Sequence, residues 1–198
     1  MLLEGKKLGL RYGSGPWLFQ NLDLSVKAGE VVGLVGPSGC GKTSLARMLA
    51  GYELPQAGAV ELDGKPLPRY GVHPVQLVFQ HPEKAVNPRW RMRRILTEGW
   101  DPQPALLRAL GIEEEWLDRF PSELSGGELQ RFCVVRALGP QTRFLIADEM
   151  TTMLDAITQA QLWRAVLDIS RERNIGILAV SHEKQLIRRL CSRVIQIG

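Results

Sequence analysis

Residues 36–43 read Gly-Pro-Ser-Gly-Cys-Gly-Lys-Thr, a complete G-x-x-x-x-G-K-[ST] loop. Its glycines let successive backbone N–H groups point at the β- and γ-phosphates of a nucleotide. The positive end of the following helix adds to that attraction. Gly36, Pro37, Ser38, Gly39, Cys40 and Gly41 form the cradle, and Lys42 adds a point charge. The Thr43 hydroxyl is of the type that ligates Mg²⁺, with Ser44 beside it to assist. An alkylating reagent on Cys40 is expected to block nucleotide binding.

Two further segments carry chemistry. Phe144-Leu145-Ile146-Ala147-Asp148-Glu149 is an apolar run ending in two carboxylates. As a buried strand it delivers both at its C-terminal end, where ligands bind in open α/β sheets. Asp148 is the candidate holder of Mg²⁺, and Glu149 the candidate base that polarises an attacking water. Leu124-Ser125-Gly126-Gly127-Glu128 opens a helix running through Leu129, Phe132, Cys133 and Arg136. N–H groups and the Ser125 hydroxyl at such a helix start make a second anion site.

Taken together and in this order, these motifs resemble the ATP-binding cassette (ABC) ATPases, the motors of membrane transporters. The resemblance spans essentially the whole chain. It implies a P-loop NTPase (RecA-like) α/β core, an antiparallel β subdomain and an inserted helical subdomain. It also implies a head-to-tail dimer, in which Ser125, Gly126, Gly127 and Glu128 of one subunit close over the ATP held by the other. Asp155, ending the turn after Glu149, then lies at the dimer interface. Gln80 follows a strand where the family senses Mg²⁺ and water. His182, in Val180-Ser181-His182-Glu183, matches the histidine that contacts the γ-phosphate. For the aromatic that stacks on adenine, Tyr12 is the better placed residue and Trp17 its competitor.

Val78-Phe79-Gln80-His81-Pro82, Val86-Asn87-Pro88-Arg89 and the run from Asp148 to Gln161 look like the branch that powers oligopeptide, dipeptide and nickel importers. That branch implies permease subunits in the membrane, an extracytoplasmic solute-binding protein, and a place on the inner face of the cell membrane. The second ATPase of the dimer is a copy of this chain or a related one. The sequence departs from the pattern at Met150, where a proline is usual, and at Met153, where a small residue is common. A C-terminal extension borne by many peptide-importer ATPases does not follow Gly198, which fits a minimal subunit or a truncated chain. The rival reading keeps the cassette and drops transport: an ATPase of a soluble assembly, such as a phosphonate-cleaving complex. A P-loop kinase would have no use for Leu-Ser-Gly-Gly-Glu.

The elements that position these groups follow from periodicity. Val31–Val35 is a continuous apolar run, as for a strand buried on both faces, followed by a helix from Lys42 to Ala50 that ends at Gly51. Leu18, Leu22, Leu24 and Val26 alternate as in a half-buried strand, and Val60 and Leu62 lead into an Asp63-Gly64 hairpin turn. Further strands are expected at 75–79, 144–147, 176–180 and 194–197. A helix is expected over 156–173, with Ile157, Ala160, Trp163, Val166 and Leu167 on its inner side. One domain is expected, with its core at about 1–80 and 139–198 and the helical subdomain at about 81–138.

At 198 residues and 44% hydrophobic, the chain can bury one well-packed core. No run of about 18 apolar residues is present, and the first residues lack the apolar stretch of a signal peptide, so a cytoplasmic protein is expected. Three scattered cysteines suggest neither a disulfide framework nor a zinc site. The net charge of +4 includes one dense cluster, Arg89, Arg91, Arg93 and Arg94. It reads as a solvated or protein-docking face, and nucleic acid is not the expected partner. The resemblance implies that the segment around 81–94 forms the groove for a helix of the membrane subunit, with Trp90 and the neighbouring arginines as candidate contacts.

Overall fold

The computed structural model describes residues 1–68 and 70–198. Strands β1 (Leu2–Arg11) and β2 (Trp17–Lys27) come first, then β3 (Val31–Val35), helix α1 (Lys42–Leu49), β4 (Ala57–Leu62), β5 (Lys65–Pro66) and β6 (Val75–Val78). From 79 to 143 the described chain has no strand. It carries α2 (Met92–Leu96), α3 (Pro104–Ala109), α4 (Gly126–Ala137) and three short 3-10 turns. Strand β7 (Phe144–Asp148), α5 (Ala156–Arg173), β8 (Gly176–Val180), α6 (Lys184–Leu190) and β9 (Arg193–Gln196) complete it.

Two sheets result. One is antiparallel, in the order β2-β1-β4-β5; the other is parallel, in the order β6-β7-β8-β3-β9. Residues of the parallel strands alternate between two apolar cores. Val32, Leu34, Phe144, Ile146, Leu178 and Val180 face α1 and the antiparallel sheet. Leu145, Ala147, Ile177 and Ala179 face α4, α5 and the short helices. Both faces being covered is the reason these strands read as unbroken apolar runs.

The expected elements appear within a residue or two. Alternation alone does not reveal β1, because Lys6 and Lys7 interrupt it. Lys7 has φ +48° and the register with β2 shifts between Gly5 and Leu8, so the strand crosses a bulge there. Gly58 answers it from β4: at φ +81°, a Cβ would lie 2.1 Å from the Lys6 carbonyl oxygen. The inner side of α5 is a correction. Ile157 and Ala160 are exposed, and the buried stripe is Leu162, Trp163, Val166, Ile169 and Ser170. Packing of α5 therefore begins at Leu162, beyond its first turn.

Candidate functional site

The phosphate-type loop joins β3 to α1. Gly41 occupies the N-cap of α1 at φ +97°, a conformation that suits glycine. At Gly36 a Cβ would stand 2.3 Å from the Ile197 carbonyl oxygen, so β9 backs directly onto the loop. The Lys42 ammonium is 9% exposed and donates to the carbonyls of Gly36 (2.9 Å) and Pro37 (2.8 Å), which holds it over the cradle. No acidic residue occupies the first turn of α1, so the positive helix end is uncompensated. The Tyr12 and Ser44 hydroxyls share a 2.6 Å hydrogen bond, which tethers the exposed Tyr12 ring at the mouth.

Asp148 ends β7, all five residues of which are buried. It is 2% exposed and its Oδ1 has no hydrogen-bond partner. Burial pushes its pKa up; the hydroxyl of Thr43 and the charges of Arg47 and Lys42 work in the other direction. A buried, unpartnered carboxylate oxygen beside a threonine hydroxyl is the donor set of a hard cation. Among the described residues no group of three His, Cys, Asp or Glu could hold a metal by itself, so such a cation needs phosphate oxygens as further ligands.

The backbone of Glu149 turns sharply, at φ +48°. For a residue with a Cβ this region costs about 1–3 kcal/mol. Its N–H still donates to the Val180 carbonyl (2.9 Å), so the turn redirects the side chain without releasing the sheet. Gln80 Nε2 donates to Glu149 Oε2 at 2.8 Å, and His182 Nδ1 lies 3.3 Å from Oε1. Gln80, Glu149 and His182 follow β6, β7 and β8, and the glycine loop follows β3. All four sit at the C-terminal ends of parallel strands. They line one open cleft of about 620 Å³, together with Tyr12, Lys42, Thr43 and Ser44.

Ser125, Gly126, Gly127, Glu128 and Asp155 do not line that cleft. Ser125 is the N-cap of α4: its Oγ accepts from the Glu128 N–H (3.2 Å), and Glu128 Oε2 accepts from the Ser125 N–H (2.7 Å). The Ser125 oxygen is therefore engaged as an acceptor while its O–H makes none of these bonds, and the Glu128 carboxylate is turned back onto the helix start. The two glycines let the turn after Glu149 press close. A Cβ on Gly126 would lie 3.1 Å from Met153 Sδ, and one on Gly127 2.6 Å from Leu154 Cδ2. Asp155 caps α5, accepting from the N–H groups of Ile157 and Thr158 at 3.0 Å each. Hydrogen bonds from Thr158, side chain and backbone, and from Ile157 hold its carboxyl below the usual range.

A family model described as ABC transporter matches residues 19–152. The chain belongs to the ABC transporter family. It is an ATP-binding and ATP-hydrolysing subunit of that family. Among curated proteins it is similar to the nickel import ATP-binding protein NikE of Rhodospirillum rubrum, 38% identical over 191 residues, or 87% of this chain and 69% of that protein. It is 36% identical over 196 residues to NikE of Escherichia coli K12, covering 89% and 73%. Among solved structures it matches a dimeric ATP-binding cassette in a post-hydrolysis state bound to ADP and Pi, with TM-score 0.84 and 22% identity over 99% of this chain and 94% of that one. An ATP-binding subunit of an ABC transporter matches with TM-score 0.83 and 21% identity, over 100% and 86%. At these identities the structural matches establish the cassette fold.

In this ABC subunit the arginine cluster is largely spoken for. Arg94 stacks over the Trp90 ring at 3.8 Å, Arg91 lies over Phe120 at 4.8 Å and donates to the Asp118 carbonyl, and Arg93 pairs with Asp118 at 3.4 Å. A cleft of about 310 Å³ is lined by Ala85 of the segment 81–94 together with Tyr52, Val72, Phe79, Leu96 and Trp100, and Trp90 does not line it. Sequence reasoning also missed Gln130. This residue of α4 is 2% exposed and donates to the Phe79 carbonyl at 3.2 Å, fixing the backbone beside Gln80. Its place two residues beyond Glu128 was the available signal, but nothing in the sequence says which way it points.

Proposed function

We propose that the chain powers import of a small solute, nickel or a peptide among the candidates, as an ATPase on the inner face of the cell membrane. The observation that carries this reading is the grip of Gln80 and His182 on the two oxygens of Glu149, in the same cleft as Lys42. Glu149 accepts a proton from water as that water attacks the γ-phosphorus, and ADP leaves. His182 and Gln80 fix the direction of the carboxylate. Thr43, Gln80 and Asp148 would hold Mg²⁺ with the phosphate oxygens, where it would neutralise charge on the transferred group.

A second ATPase subunit completes each site. Gly126 and Gly127 N–H groups, outside their own chain's cleft, serve the γ-phosphate of the partner's ATP, with Ser125 and Asp155 at the interface. Binding then favours the closed pair, and loss of phosphate after hydrolysis removes the anion that holds it. The cleft around Tyr52, Phe79 and Trp100, of mixed polar and apolar lining and bordered by Phe79 next to Gln80, takes a helix of the permease. The external solute-binding protein and permease choose the cargo, and the NikE relatives put nickel first among the candidates.

Glu149→Gln tests the assignment. Turnover is expected to fall by about a hundredfold or more, with ATP still bound and the dimer stabilised. Hydrolysis at the wild-type rate would reject Glu149 as the base. Affinity purification from mildly solubilised membranes tests the setting. Recovery of a multi-span permease supports import, and recovery of soluble partners alone, with none of the protein in the membrane fraction, counts against it.

A further inference from the structure

The segments carrying Glu149 and His182 follow different strands, yet their side chains meet at 3.3 Å. One side chain ties the two segments together from behind. Gln159, in the first turns of α5, donates from Nε2 to Thr151 Oγ1 at 2.9 Å and to Glu183 Oε1 at 3.3 Å. A primary amide has two N–H bonds, one for each acceptor. Thr151 is two residues past Glu149 and only 3% exposed, and it also accepts from Trp163 Nε1 at 3.2 Å. Glu183 is next to His182, and its own N–H donates to Ser181 Oγ at 3.0 Å. The base of the fork is fixed, because Gln159 N–H donates to the Asp155 carbonyl at 2.8 Å.

We propose that Gln159 is a positioning residue for hydrolysis, holding the turn after Glu149 and the turn of His182 in mutual register through Thr151 and Glu183. Glu149 has a left-handed backbone, so the turn it begins needs support from outside itself. Trp163 anchors Thr151 to α5 but reaches nothing on the His182 side. Gln159 alone among these hydrogen bonds joins both. The inference rests on the hydrolysis reading of Glu149.

Steady-state ATPase kinetics of the purified full chain test it. Gln159→Leu keeps the volume and removes both donors. Gln159→Glu places a carboxylate against Glu183. Each is expected to lower kcat by about tenfold or more with KM for ATP unchanged, because geometry at the reacting centre is lost while phosphate binding is not. The double variant Gln159→Glu with Glu183→Gln exchanges donor and acceptor, and is expected to return kcat to within about threefold of wild type. Wild-type kcat for Gln159→Leu, or a double variant no faster than Gln159→Glu alone, would overturn the proposal. Glu149→Gln, run in the same assay, separates the readings: wild-type turnover there removes the base, whereas the Gln159 series removes only the link.

Discussion

Glu149 and Asp148 are adjacent carboxylates given opposite surroundings by one turn of backbone. Asp148 stays in the strand, buried, with an unpartnered oxygen and a raised pKa. Glu149 leaves it through a left-handed residue and meets two side-chain partners. Alternation along the strand alone puts neighbours on opposite faces; the left-handed step instead keeps both at the strand end. The cysteines differ as sharply. Burial pushes the Cys133 thiol up to about 12 and the Cys191 thiol up to about 11, so neither forms much thiolate near neutrality. Cys40 stands in the phosphate loop, half-buried, at the start of α1. Iodoacetamide at pH 7.5 should therefore add one label, at Cys40. ATP should slow that labelling by about tenfold at saturation, and the labelled chain should fail to bind nucleotide. Peptide mass spectrometry reads the position.

At the scale of elements, α5 follows the turn after Glu149, and Asp155 caps its start. Its carboxylate is held below 3.8 by the N–H groups it caps and by the Thr158 hydroxyl. A depressed carboxylate pKa contributes stability that is present above the unfolded value and is lost as pH falls through the folded one. Asp155→Ala is expected to lower the melting temperature at pH 7 by about 2–4 °C. The difference from wild type should shrink as pH falls below about 3.8 and vanish beneath the folded value. A difference that persists undiminished in acid would show that the cap acts through something other than its charge.

For the whole molecule, the decisive fact is that the two elements we propose to bind phosphate do not meet. The loop at 36–43 shares a cleft with Gln80, Glu149 and His182, while the start of α4 lies outside it. A chain that hydrolysed ATP alone would leave the Gly126–Gly127 turn without an anion. Ser125→Arg on a Glu149→Gln background is expected to abolish ATP-induced dimers by size-exclusion chromatography, because a bulky side chain would fill the space a partner's nucleotide needs. Binding of ATP to the monomer should change by less than about twofold, since that site is made by other elements. An ATP-dependent dimer that survives Ser125→Arg would place the interface elsewhere.

Much of the fold was legible in the residues. β3, β7 and β8 were found because covering both sheet faces demands unbroken apolar runs, and α5 because Trp163 and Val166 recur at helical spacing. The residues of the nucleotide cleft were legible as types at fixed spacings, because loops at strand ends must be written locally. What escaped depends on contacts between distant segments. β1 hides behind a bulge that only β2 and β4 reveal, and the buried side of α5 is set by the core it packs into. Arg89, Arg91, Arg93 and Arg94 stay exposed, as the solvated face expected of them, but the partners that Arg91, Arg93 and Arg94 take on Asp118, Phe120 and Trp90 could not be read from order. Gln130 and Gln159 acquire meaning only once α4 and α5 are packed beside Phe79, Thr151 and Glu183. By itself the sequence determined the chemistry available, since that resides in side-chain types. Tertiary structure decided which groups share a cleft and which face away from it, because a hydrogen bond is a matter of ångströms and not of order along the chain.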